Sequence, residues 1–148
     1  MKRKNNRTNF RNLRIRIGLA VILTGLLVFL LGANPGIFRL DRSPVVGFVQ
    51  ISVFLVGLAM ICLGGYIVLN TLWNGKEKTI AADIGFRLVS TGYVISVASG
   101  MADIFGLGNQ PFPAIPYFGP WQAGGVVLGE LIIALGFLLL VPHSKLNK

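Results

Sequence analysis

Apolar residues run almost unbroken through four stretches of the chain, and each stretch is bounded by turn or capping chemistry. The first, about residues 15–33, is stopped by Asn34-Pro35-Gly36. The second, about residues 44–73, has Ser43 placed to cap it and Pro44 in its first turn, where a missing N–H costs nothing; Asn74-Gly75 ends it. The third, about residues 80–105, has Thr79 as its cap, and the fourth, about residues 120–141, opens at Pro120 and closes before Pro142. A helix needs about 20 apolar residues to cross the roughly 30 Å hydrocarbon core, and backbone polar groups in lipid must be satisfied within the segment. No strand-like alternation of useful length competes. The pattern therefore predicts an all-α integral membrane protein: four transmembrane helices in a single small bundle, one domain over residues 1–148. The first and last pairs of segments each form a hairpin, but their loops and polar residues do not correspond, so no internal repeat is expected.

Composition agrees. The 148 residues are 53% hydrophobic and 13% charged, with a mean hydropathy of +0.71, whereas soluble domains carry about a quarter charged residues. The net charge of +9 is unevenly spread. Lys2, Arg3, Lys4, Arg7, Arg11, Arg14 and Arg16 form an acid-free arm; Lys76 and Lys78 follow in the second connection, and Lys145 and Lys148 in the tail. Only Arg39 and Arg42 lie in the other two connections, so cation placement predicts both termini on the cytoplasmic side. A cleaved signal peptide ending at Ala33 is disfavoured by bulky Leu31 and by Pro35, and a mitochondrial presequence by the spanning segment that follows the arm directly. A bacterial plasma membrane is the expected home. Phe10, Leu13 and Ile17 recur at helical spacing opposite most of the arginines, so the arm is expected on the bilayer, drawn to anionic lipid headgroups; no nucleic acid partner is expected.

Against this apolar background Glu130 stands out, nine residues into the fourth segment and about 14 Å from its outer end at 1.5 Å per residue. A carboxylate at that depth costs about 2.5–3.5 kcal/mol on insertion scales and is a functional-site candidate by default. The bland alternative is a protonated carboxyl bonded to a neighbouring helix. Gln50 and Ser52 on the second segment, and Tyr93 and Ser96 on the third, fall at a similar depth and complete a candidate intramembrane polar site. Asp83 and Arg87 stand four residues apart, acid first, and are expected to form a local structural ion pair with Arg87 reaching to the headgroups.

Small residues recur at packing distances. Gly92, Ser96 and Gly100 form one ladder, Gly125, Gly129 and Gly136 a second, and Gly18, Gly25 and Gly32 a third; all three are read as helix-packing faces. Asp83, Arg87, Ser90 and Thr91 make a separate polar stripe on the third segment, so this helix is expected to be central or shared with a partner. The uncharged connection 106–121, with Pro111, Pro113 and Pro116 among Phe112, Tyr117, Phe118 and Trp121, reads as an interfacial cap, and Trp73 as a marker of the opposite interface.

Catalytic and cofactor signals are sparse. Cys62 alone forms no internal disulfide and no Cys-based zinc site, and the one histidine, His143, lies in the tail. Gly106-Leu107-Gly108 lacks the third glycine of a dinucleotide loop, where Pro111 stands, and Gly75-Lys76 lacks the first glycine of a phosphate loop, where Asn70 stands. No catalytic residue, metal or cofactor is expected. The expected role is a non-enzymatic accessory or self-associating membrane subunit, as a homo-oligomer or within a larger complex. The alternative is a small proton- or cation-coupled transporter or channel that uses Glu130.

Overall fold

A computed structural model of the chain describes residues 2–34, 36, 47–107 and 118–142, with side chains from Asn9 onward. The described residues form four helices, α1 (Lys2–Ala33), α2 (Phe48–Leu72), α3 (Ile80–Gly100) and α4 (Pro120–Leu140), and no strand. Each contains a stretch long and apolar enough to cross a membrane. The expectations for Arg39, Arg42, Ser43, Pro44, Pro111, Phe112, Pro113, Pro116, Tyr117, His143, Lys145 and Lys148 fall outside the described residues.

Three helix limits differ from the sequence pattern, each for a local reason. α1 is helical from Lys2, not from about residue 15, because its arm holds mostly straight-chain residues and no Gly or Pro to interrupt the hydrogen-bond ladder. α2 starts at Phe48, with Gly47 in the extended N-cap position (φ −84°, ψ 163°), so the first turn lies four residues beyond Pro44. α3 stops at Gly100, ahead of the expected Phe105. One loose turn follows, closed by Leu107 N–H donating to Ala102 O (2.9 Å) and Gly106 N–H to Asp103 O (3.2 Å) around left-handed Gly106 (φ 73°), a Schellman ending. Thr79 caps α3 as its chemistry demands, accepting from Ala82 N–H at 3.2 Å. At the start of α4, Gln122 Oε1 accepts from Gly119 N–H at 2.9 Å.

The helices pair as two antiparallel hairpins, α1 with α2 and α3 with α4. Each is closed by glycines seven residues apart that face each other reciprocally. A Cβ on Gly18 would meet Gly64 O at 3.1 Å, one on Gly64 would meet Gly18 O at 2.7 Å, and Gly25 and Gly57 stand in the same relation at 3.0 and 2.9 Å. In the second hairpin Gly85 faces Gly136 O at 2.6 Å and Gly92 faces Gly129 O at 2.5 Å, again reciprocally. Any side chain at these positions would separate the two backbones.

This shared register corrects the expectation of no repeat. Ile17-Gly18, Thr24-Gly25, Ile37-Phe38 and Leu40 recur at one constant offset as Ile84-Gly85, Thr91-Gly92, Ile104-Phe105 and Leu107. Pro44, Gly47, Gln50, Gly57 and Leu63-Gly64 recur as Pro116, Gly119, Gln122, Gly129 and Leu135-Gly136, after a longer second connection. Local structure repeats too: Thr24 and Thr91 each donate to the carbonyl four residues back at 2.9 Å, and Gly47 and Gly119 are both extended N-caps. The repeat was hidden because the matching positions are mostly small residues among interchangeable aliphatic ones.

Among the described residues α1 meets α2 alone, while α2 also meets α3 and α4 and so joins the hairpins. Leu58, Cys62, Val89 and Ile133 form the buried cluster there, flanked by Phe29, Tyr66, Tyr93 and Phe137. Phe137 fits over Gly65, where a Cβ would stand 2.5 Å from its ring. At the basic end, Trp73 is buried and its indole N–H donates to Leu140 O at 3.0 Å, so the ring is a tie between hairpins and not the expected interface marker. Trp121, exposed at the first turn of α4, has the freedom an interfacial ring needs.

The seams make a direct prediction. Gly25→Val and Gly92→Val each force backbone apart and should lower stability by about 1–3 kcal/mol, as overpacking does. Gly124, with open space where a Cβ would go, is the control: Gly124→Ala should stabilise α4 by about 0.5–1 kcal/mol. Unfolding of the detergent-purified protein followed by intrinsic fluorescence checks all three.

Candidate functional site

Glu130 lies at the midpoint of α4, half-buried. On the same side of its helix stand Val126 and Ile133, both buried, and Phe137, which presses on Gly65. Glu130 thus sits on the flank of α4 turned toward α2, one residue from the Gly129 seam. Among the described residues it has no hydrogen bond or ion pair.

The four residues placed at its depth by sequence are distributed as follows. Ser96 is fully buried against Gly129; its hydroxyl donates to Val126 O at 3.4 Å and so binds α3 to α4. The Ser52 hydroxyl donates to Phe48 O of its own helix at 2.9 Å. Tyr93 packs on the apolar cluster around Cys62. Gln50 lines a cavity of about 210 Å³ between the hairpins, with Gly32, Phe54, Phe118, Val126 and Val127 among its walls. The structure brings Ser96 beside the residue preceding Glu130, and it brings the Gln50 cavity to the helical turn before Glu130. No hydrogen bond joins these groups into one network. Gln122, the repeat counterpart of Gln50, keeps its Nε2 buried and unpartnered.

Of the packing residues, Gly92 and Gly129 form the α3–α4 seam and Gly125 faces Ser99, whereas Gly100 has ordinary room against Ile51, Leu55 and Val126. Arg87 Nη2 lies 3.3 Å from Asp83 Oδ2, and both side chains are largely exposed. The polar stripe they begin has a use within the chain. The Tyr66 hydroxyl from α2 donates to Phe86 O at 2.7 Å and lies 2.9 Å from Ser90 Oγ, with its ring tilted against Phe86 at 4.5 Å between centroids.

Sequence reasoning missed Tyr66 and Trp73 as the links between hairpins, since nothing in their local pattern names their acceptors. It also treated the cations as topology signals one by one, although Arg11, Arg14, Lys76 and Lys78 converge on one pocket at the basic end.

Tyr66→Phe keeps the ring and removes the hydroxyl, and should lower stability by about 0.5–1.5 kcal/mol, the net worth of an ordinary hydrogen bond. Asp83→Asn should stay within about 0.5 kcal/mol, because an exposed ion pair is screened. Thermal unfolding in one detergent at fixed ionic strength separates the two outcomes.

Compared with known proteins, the chain matches no family model, no curated protein and no solved structure.

Proposed function

We propose that this protein is a non-enzymatic accessory or self-associating subunit of a membrane assembly, and that Glu130 is the group the assembly completes. The observation that carries this reading is a half-buried carboxyl at the midpoint of α4 without a partner among the described residues. An ionisable group at that depth costs about 2.5–3.5 kcal/mol on insertion scales, a penalty relieved when a neighbouring helix supplies a hydrogen bond. The dispersal of reactive groups supports the non-enzymatic part. Cys62 is buried in an apolar cluster, Asp83 is paired with Arg87, Glu77 lies in the connection before α3, and Asp103 lies in the turn after it. The cation asymmetry supports a cytoplasmic basic end. The membrane proposed with it is a bacterial plasma membrane, since the basic arm runs straight into a spanning segment, unlike a mitochondrial presequence.

A second reading, a proton- or cation-coupled transporter or channel, is favoured by the cavity between the hairpins. Its walls include Val126 and Val127, one turn from Glu130 toward the end remote from the basic one, so a path to the carboxyl is partly formed.

Particle mass in lipid nanodiscs tests the first reading. Wild type should form one defined assembly, Glu130→Gln should keep it, and Glu130→Leu should weaken association at least tenfold, about 1.4 kcal/mol. A wild type that is monomeric, alone and indistinguishable from Glu130→Leu overturns it. Dissipation of a pH gradient in proteoliposomes by wild type, lost in Glu130→Gln, would establish the second reading instead.

A further inference from the structure

At the basic end a pocket of about 490 Å³ opens between the start of α1, the last turn of α2 and the turn that follows. Arg11 and Arg14, three residues apart on one face of α1, form one wall. Lys76 and Lys78, from the connection after α2, line the pocket as well, together with Asn70 and Asn74. The chain must fold back sharply to bring these lysines toward α1. It does so through two consecutive left-handed residues, Asn74 (φ 49°) and Gly75 (φ 78°), closed by Lys76 N–H donating to Trp73 O at 2.9 Å. Asparagine and glycine are the residues that tolerate this conformation best. The turn is anchored from behind, because the Trp73 indole donates to Leu140 O of α4. Lys78 is steadied at the rim, its ammonium 5.5 Å from the centroid of Phe86.

Four cations around one hollow repel each other, and a fold that gathers them needs an anion to offset the repulsion. Glu77 stands between the two lysines in sequence but neither lines the pocket nor forms an ion pair among the described residues, where the acid-base pair is Asp83 with Arg87. The four cations lining the hollow thus have no carboxylate among the lining residues. Two arginines and two lysines lining one hollow, together with two asparagines, are suited to phosphate oxygens, which take paired N–H bonds from arginine and a point charge from lysine. Phe10 and Trp73 add apolar wall at the level where helix meets headgroup.

The geometry points to a binding site for a phosphate group carrying two negative charges, held by Arg11, Arg14, Lys76 and Lys78. This differs from diffuse attraction of a basic arm to anionic lipid, because Arg16 lies on the same arm with the same charge and does not line the pocket. The doubly charged phosphate has two possible sources, a lipid headgroup in the adjoining leaflet or a soluble phosphate, and the pocket is open to both.

Full-length protein in detergent supplies the test. One arm measures retention of phosphatidic acid against phosphatidylcholine by native mass spectrometry, and the other measures inorganic phosphate binding by calorimetry. Each is run on wild type, Arg11→Gln/Arg14→Gln, Lys76→Gln/Lys78→Gln and Arg16→Gln. At about fivefold per cation removed, each double variant should weaken the bound probe by about 25-fold, while Arg16→Gln stays within about twofold. Loss in the lipid arm alone assigns the site to a headgroup, and loss in the phosphate arm alone assigns it to a soluble anion; both support the site. The charge-preserving Arg14→Lys and Lys76→Arg should restore most binding, which guards against misfolding as the cause. Equal losses per cation removed for Arg16→Gln and for Arg11→Gln/Arg14→Gln, or no binding of either probe by wild type, overturn the proposal.

Discussion

Helices in lipid gain little from hiding apolar side chains, so what holds two of them together is how closely their backbones can approach. In this chain that approach is set by four reciprocal glycine pairs, Gly18 with Gly64, Gly25 with Gly57, Gly85 with Gly136 and Gly92 with Gly129. At each pair the missing Cβ leaves room for the partner's carbonyl, allowing weak Cα–H···O contacts together with tight dispersion packing. The seven-residue interval keeps the pairs on one seam over the length of the helix. Ser96 shows how narrow the tolerance is. It is a small residue beside Gly129, and it fits because its hydroxyl finds Val126 O on the facing helix.

The two hairpins meet by different means. Where glycines close a hairpin, aromatic side chains join one hairpin to the other, and among the described residues the hydrogen-bonded links start from α2 and the residue that caps its end. Tyr66 reaches Phe86 O and Ser90 on α3, and Trp73 reaches Leu140 O on α4. Each pairs a polar tip with an acceptor and covers apolar surface with its ring, the combination that suits buried Tyr and Trp. Both links lie toward the basic end. The opposite end of the same interface is looser and contains the cavity beside Gln50. The junction is therefore tied at one end and hollow at the other, and Glu130 stands between the two.

The spans and their turns were legible because hydropathy and capping chemistry are local. Thr79, Pro120 and the Asn74-Gly75 turn are examples, and the Schellman turn at Gly106 explains why the third apolar run outlasts its helix. What could not be read was anything that depends on two distant positions at once. The start of α2 at Phe48 reflects where the chain enters the hairpin, not which residue caps best in isolation. The repeat was written in the sequence, but aliphatic substitution erased its identities between the glycines. Gly92 and Gly125 were both visible as small residues; that Gly92 faces Gly129 while Gly125 faces Ser99 is a matter of register, which only the folded hairpin fixes. Of the site, Glu130 was found by its charge alone, and the distribution of Gln50, Ser52 and Tyr93 around it depends on helix rotation, which depth does not determine.

The repeat also gives Glu130 a context that its charge does not. Gly65 and Phe137 are equivalent positions in the two hairpins and touch each other, although the hairpins do not meet symmetrically: α2 meets α3, while their counterparts α4 and α1 do not meet among the described residues. Two glycines there would leave a void and two phenylalanines would collide; one of each fills the space. Seven residues earlier on the same helix faces stand Leu58 and Glu130, also equivalent, one buried and apolar, the other half-buried and acidic. A second carboxylate at the position of Leu58 would be buried in the apolar cluster with Cys62, Val89 and Ile133, where its charged form is disfavoured. A leucine at one position and a carboxylate at the other avoids that cost, and among the described residues the acid has no hydrogen bond or ion pair. The repeat thus supplies a glycine-and-phenylalanine fit at one level and a leucine-and-glutamate difference one heptad away, and a bond to Glu130 from another chain is what the proposed assembly would add.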